Sequence, residues 1–147
     1  MPEIGFYHLT RTDISAALPA LLGRSLAAGE RAVVKCRDAA EVAAIDAALW
    51  QCAKPEWLPH GTSATPHPEW QPIFVTDGDE NPAAAAFLFL IGGGNAALAG
   101  YSRVFDLFDG NIEAEVAAAR VRWAAAKAVG FGLTYWQQGE AGWERAR

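Results

Sequence analysis

Two patterns of apolar residues alternate along the first fifty positions. Ile4 to Leu9 is short, apolar and aromatic, and predicts a first strand. Ile14, Leu18, Leu21, Leu22 and Leu26 then recur at helical spacing behind Thr12 or Asp13, either of which can cap a helix from Ile14 to Ala28. Pro19 should kink this helix or delay its start, and Gly29 should end it. Arg31 to Cys36 carries Ala32-Val33-Val34 and predicts a second buried strand. Asp38 caps a second helix from Ala39 to Cys52, with Val42, Ile45, Leu49 and Cys52 on one side. A βαβα order of this kind predicts a largely parallel sheet covered on both faces.

The pattern breaks at residues 53–72. Pro55, Pro59, Gly61, Pro66, Pro68 and Pro72 mark a long loop, with Trp50, Trp57, Leu58 and Trp70 in or beside it. Exposed, these aromatics offer a partner surface; folded back, they pin the loop to the core. Ile73 to Val75 predicts a third strand and Phe87 to Ile91 a buried one, while Ala83 to Ala86 fits helix or extended chain. Gly92, Gly93 and Gly94 interrupt the chain, and Asn95 to Arg103 offers a further helical turn.

The stretch from Val104 to Gln138 organises the rest. Val104 to Phe108 predicts a strand in which Asp106, alternating with apolar neighbours, faces solvent. Asp109, Gly110 and Asn111 supply turn and cap chemistry, and Glu113 and Glu115 suit the first turn of a helix. The helix runs to Val129 and stops at Gly130. Ile112, Val116, Ala119, Trp123 and Ala126 form its apolar stripe. Beside that stripe, Arg120 stands three residues before Trp123 and Lys127 four after it, so all three can share one surface. An aromatic flanked by two cations suits a ligand both anionic and apolar, such as an acidic peptide with a hydrophobic end. Margin cations that merely cover apolar surface with their stems have the same pattern. Leu133 to Gln137 predicts a last strand, after which Trp143 and the arginine-rich end fray.

Composition narrows the function. A chain of 147 residues, 52% apolar and 20% charged, fits a single α/β domain over 1–147. A net charge of −5 argues against gripping nucleic acid mainly through phosphates. No run of eighteen or more apolar residues predicts a membrane span, and no basic-then-apolar start predicts a signal peptide. Cys36 and Cys52 are then expected as reduced thiols in the cytoplasm.

Motifs for chemistry are absent. Gly92-Gly93-Gly94-Asn95 lacks the lysine and hydroxyl of a phosphate loop, and Thr10-Arg11-Thr12 stands where a dinucleotide fingerprint would follow the first strand. His8, His60 and His67 show no paired metal spacing with Cys36 and Cys52. Ser15, Ser25, Ser63 and Ser102 occupy no nucleophile elbow. The expected fold is therefore Rossmann-like, with a mixed, mostly parallel sheet and no cofactor, metal or catalytic residue.

Several segments in order carry a resemblance. Phe6-Tyr7-His8-Leu9, Leu49-Trp50, Trp57-Leu58-Pro59-His60-Gly61, Gln71-Pro72-Ile73, Phe105-Asp106-Leu107-Phe108-Asp109-Gly110, Ala119-Arg120-Val121-Arg122-Trp123 and Gly132-Leu133-Thr134-Tyr135-Trp136 resemble the chi subunit of bacterial DNA polymerase III. The resemblance implies a non-catalytic adaptor with two partners. One is the psi subunit of the clamp loader, docked through the loop region, where Trp50, Trp57, Leu58 and Pro59 are the expected contacts. The other is the acidic C-terminal tail of single-stranded DNA-binding protein, whose last residue is aromatic and bears the chain's carboxylate. Arg120, Trp123 and Lys127 are its expected receptor, with Val116, Phe108 and Leu133 as lining. DNA contact would then be mainly indirect. Val116 and Ala124 stand where family members can carry further cations, which predicts weaker long-range attraction here. Two alternatives remain: a small nucleotide-binding enzyme, and a direct single-stranded DNA binder that stacks bases on Trp123, Tyr135 and Trp136.

Overall fold

The computed structural model describes residues 1–52, 58–92 and 97–147. In these, seven strands form one sheet: β1 (Glu3–Leu9), β2 (Ala32–Lys35), β3 (Ile73–Thr76), β4 (Phe87–Ile91), β5 (Arg103–Asp109), β6 (Gly132–Gly139) and β7 (Gly142–Arg145). Their spatial order is β3-β2-β4-β5-β1-β6-β7, and every pairing is parallel except β6–β7. The predicted α/β domain is therefore observed. Its order departs from the 3-2-1-4-5-6 sequence of dinucleotide-binding sheets. β1 and β2 are separated by β4 and β5, so the first strand lies deep in the sheet between two late ones.

Three helices join these strands among the described residues: α1 (Ile14–Ala27), α2 (Ala39–Gln51) and α3 (Glu113–Val129). Asp13 caps α1 by accepting from the Ala16 amide, and Asp38 caps α2 by accepting from that of Glu41. Pro19 lies inside α1, which nonetheless begins at Ile14, so the delayed start is not seen. α1 and α2 bury Leu18, Leu22, Ile45 and Leu49 against one sheet face, with Leu9, Val34, Phe89 and Leu107. α3 packs on the other face, which carries Ile4, Phe6, Val104 and Phe108. Only Ala119 of α3 is fully buried.

Some expectations are corrected. Asp106 does not face solvent: it is 2% exposed and points toward α3, because both faces of this central strand are covered. α3 is capped at Ile112 without a side-chain bond; Asp109 instead accepts from the Asn111 amide, closing the preceding turn. Ile112 itself is 46% exposed and contributes nothing to the buried stripe. The end of the chain does not fray. β7 returns antiparallel beside β6, and Trp143 packs edge-on against Tyr7 at 5.1 Å between ring centres. Residues 97–102 and Ala83 to Ala86 hold turns, bends and irregular chain rather than helix or strand. The glycine run at 93–94 lies outside the described residues.

The long loop is held at its far end. Leu58 is 2% exposed in the core, and Gly61 bridges to Phe74. His60 is buried; its Nδ1 lies 2.7 Å from the Leu58 carbonyl and its Nε2 2.9 Å from Asp46 Oδ1. This agrees with the hydrogen-bonded turn role that its Pro-His-Gly context implies.

Candidate functional site

A cleft of about 440 Å³ opens between α3 and β6. Period-two alternation sends His8 of β1, Phe108 of β5 and Tyr135 of β6 to the α3 side of the sheet. Helical spacing brings Val116, Ala119, Arg120 and Trp123 down to meet them. The aromatic groups are packed mainly edge-on. Trp123 lies 5.2 Å from Phe6 and 5.8 Å from Tyr135, and His8 lies 5.0 Å from Phe108, between ring centres. The result is a half-open apolar trough with rigid walls.

Cations stand at its rim. Arg120 is exposed and makes no ion pair or side-chain hydrogen bond among the described residues. Arg147 joins the lining because the chain's end follows β6: the Tyr135 amide donates to the Arg147 carbonyl at 3.1 Å, and the Ala146 amide donates to that of Tyr135 at 2.7 Å. Their charge is felt inside the cleft. Burial lowers the His8 pKa and the Arg120 guanidinium lowers it further. Burial raises the Tyr135 pKa, against the pull of Arg120 and Arg147. Tyr135 therefore keeps its proton, and its hydroxyl meets His8 Nδ1 at 2.6 Å. A neutral imidazole accepting from Tyr135 keeps its remaining N–H on Nε2.

Gly110 makes this corner possible. Its amide donates to the Leu9 carbonyl at 2.7 Å, and a side-chain carbon there would collide with that carbonyl and with the His8 ring. Gly110→Ala is expected to cost about 1–3 kcal/mol of stability, as overpacking does. Urea unfolding will measure the cost, and a shifted His8 resonance will locate it.

The pose of α3 is set by an ion pair beside the cleft. Arg122 Nε and Nη2 donate to Asp106 Oδ2 and Oδ1 at 2.7 and 2.8 Å. Burial pushes the Asp106 carboxyl up, with Arg122 opposing it. Arg122 thus points away from the Arg120 row and is committed to the sheet.

Of the residues expected to bind the tail, Arg120, Trp123, Val116 and Phe108 line the cleft together. Lys127 stands two turns beyond Arg120, about 10 Å along the axis, and Leu133 packs under the helix; neither lines the cleft. His8, Tyr135, Gln137 and Arg147 were not foreseen. The loop set is divided. Trp50 is 63% exposed and rests on the His60 ring at 4.7 Å, and Pro59 is half-buried. Leu58 is core and cannot present a surface, and Trp57 lies outside the described residues.

The usual ligand crevice of an open α/β sheet, beyond the carboxyl ends of its strands, is hostile to phosphate here. Asp13, Glu41, Asp109 and Glu115 line it, and Arg37 is bound to Glu41 at 2.7 Å. Cys36 is buried and its thiol pushed up to about 12, so it is protonated at neutral pH. Among the described residues there is no metal-binding group of His, Cys, Asp and Glu. Nor is any described helix long and apolar enough to cross a membrane.

These features can be set beside known proteins. A probable DNA polymerase III subunit chi from Rickettsia prowazekii (strain Madrid E) is 26% identical over 91 residues, which cover 62% of this chain and 55% of that protein. The chain thus matches about half the length of that curated relative. The family model described as DNA polymerase III chi subunit, HolC, matches residues 1–134, from β1 into β6. Matched over nearly its whole length, this chain belongs to the DNA polymerase III chi subunit family.

Proposed function

We propose that this chain is a non-catalytic adaptor of the DNA polymerase III holoenzyme, which joins the psi subunit of the clamp loader to the acidic tail of single-stranded DNA-binding protein. The observation that carries the reading is the cleft under α3, where apolar aromatic walls meet the unpaired Arg120 and the Arg147 rim. A tail that ends in an aromatic residue bearing a carboxylate has both complements. Its ring fills the trough between Trp123, Val116 and Phe108, and its carboxylate takes paired donors from Arg120. Lys127 lies where the acidic residues upstream can pass, and contributes at long range.

Psi is assigned to the side of the molecule covered by α2, the sheet face opposite α3. Trp50 supports this part of the reading: it is a large exposed aromatic on a rigid base formed by His60, Asp46 and the C-terminal turn of α2. Trp57 and Pro59 complete the proposed contact, with Leu58 anchoring the loop from beneath.

The test is fluorescence anisotropy with a labelled peptide that copies the tail, against a control lacking the terminal aromatic. Saturable binding of the first alone supports the adaptor reading. Binding of neither at low salt overturns the tail assignment and leaves the Trp50 surface to be tested with psi.

The pH dependence has a definite sign. Burial and, after it, Arg120 hold His8 below its ordinary value in the free protein. A bound carboxylate offsets Arg120 and favours the imidazolium, so the His8 pKa rises in the complex. Binding then takes up a proton and tightens as pH falls through the bound-state pKa, levelling off below the free-state one. His8→Gln removes this slope. Anisotropy titrations between pH 5 and 8 will check both statements.

A further inference from the structure

A second cleft, of about 290 Å³, lies on the opposite sheet face, between the last turn of α1 and the β6–β7 hairpin. We propose that it binds a single nucleic acid strand, with a base stacked on Trp143 and meeting Trp136 edge-on, and phosphates held by Arg24 and Arg103.

The walls are aromatic rings in two orientations, set nearly at right angles. Tyr7 and Trp136 lie almost parallel, 8° apart and 6.1 Å between centres, and Trp143 meets Tyr7 at 85°. Trp136 and Trp143 are half-buried, which fixes their orientation while part of each ring lines the opening. Every base has a π face, so such a platform accepts bases without regard to sequence.

The cations suit phosphate. Arg24 is exposed on α1, and Arg103 is exposed at the start of β5 with its guanidinium 4.7 Å from the Phe105 ring centre and 5.4 Å from that of Phe87. Neither forms an ion pair among the described residues. Glu3, the register partner of Arg103, is an acidic group near Tyr7, and no ion pair joins it to Arg103 among the described residues.

The polar edges favour a strand of nucleotides over a peptide. Trp136 Nε1 already donates to Thr134 Oγ1 at 3.1 Å, and Ser25 Oγ donates to the Leu21 carbonyl at 3.2 Å. A peptide inserted here would bury amide groups without partners, at a cost. A stacked base leaves its hydrogen-bonding edge in water. Trp143 lies beyond residues 1–134, so the family match does not account for it. The site is also independent of the tail cleft: Tyr135 and Trp136, neighbours on β6, point to opposite faces. With a net charge of −5 the binding is weak and strongly salt-dependent.

The experiment uses the whole chain and a fluorescein-labelled oligothymidylate at low salt, read by anisotropy. Saturable binding is expected. Trp143→Ala should weaken it about five- to a hundredfold, the range found for loss of one stacking partner. Arg24→Glu should lower the slope of log affinity against log salt by at least about 0.7. Arg31→Glu makes the same charge change outside both clefts and serves as the control. If Trp143→Ala does not fold, Arg24→Glu against Arg31→Glu decides. Absence of saturable binding overturns the proposal, and so does equal weakening by the two arginine variants, which would reduce the effect to net charge. Preference for an acidic peptide over the oligonucleotide at Arg24 would assign the cleft to a protein and overturn it as well. The same samples titrated with the tail peptide keep failure here distinct from failure of the adaptor reading.

Discussion

Arg122→Ala will lower the stability of this protein by about 3 kcal/mol at neutral pH, the low end of the range for removing one partner of a buried ion pair. The loss comes from what is left behind. Asp106 is 2% exposed on a central strand, and both of its oxygens are bonded by the Arg122 guanidinium. Without that group the carboxylate is ionised in an apolar setting, or takes a proton from solvent at a cost that grows with pH. Burial already raises its pKa in the wild type, and the variant removes the one opposing charge, so the folded-state value rises further. The sign follows. A carboxyl with a folded pKa above its unfolded one imposes no penalty below the unfolded value, and a growing one as pH rises to the folded value. The deficit of Arg122→Ala will therefore shrink on acidification toward about pH 4. Replacing both partners, Asp106→Leu with Arg122→Met, should restore most of the loss, because an apolar pair carries no desolvation cost. Urea unfolding of the wild type and both variants at two pH values checks the set. A deficit independent of pH would trace the loss to packing rather than charge.

Trp123→Ala will weaken tail binding by about 2 kcal/mol or more, the mark of an aromatic anchor. Its ring joins both sides of the cleft, edge-on to Phe6 and to Tyr135. Truncation removes a wall from the trough and a support from β6. Arg120→Ala will cost about 1–3 kcal/mol, since a charge-assisted hydrogen bond is lost at the rim, where Arg147 remains as the other lining cation. Arg120→Lys keeps the charge without the paired donors and should recover only part of the affinity. Trp50→Ala, on the α2 side, will leave tail binding unchanged. Equal losses from Trp50→Ala and Trp123→Ala would mean a single extended interface and would refute the two-surface reading.

Much of this architecture was legible because its signals are local. Asp13 and Asp38 mark the two caps, Gly130 marks the end of α3 with a φ of 101°, and Phe87–Ile91 matches β4 residue for residue. The Arg120–Trp123 spacing follows from the helix period alone. Other features depend on what lies across the sheet. Asp106 has the alternation of a solvent-facing residue, and only the placement of α3 over β5 makes it a buried one. His8 and Tyr135 meet because β1 and β6 are neighbours, which no adjacent pair of residues announces. The closing hairpin did leave a signal. Gly139 and Gly142 flank the two-residue turn Glu140-Ala141, and Trp143 resumes the alternation. Reading that segment as a frayed tail also hid the Arg147 contribution to the first cleft and the Trp143 contribution to the second.

The position of β1 has a consequence for synthesis. As the ribosome releases the chain, β1 emerges first, yet its hydrogen-bonding neighbours are Arg103–Asp109 and Gly132–Gly139. Phe6, Tyr7 and Leu9 are buried in the finished sheet, so these apolar groups remain uncovered while β2, β3 and β4 appear and pair among themselves. Loops this long close slowly. The nascent chain therefore holds a partial sheet with its central slot open until α3 and β6 leave the tunnel. That waiting period is when uncovered apolar surface and unpaired strand edges expose the chain to aggregation and to chaperones.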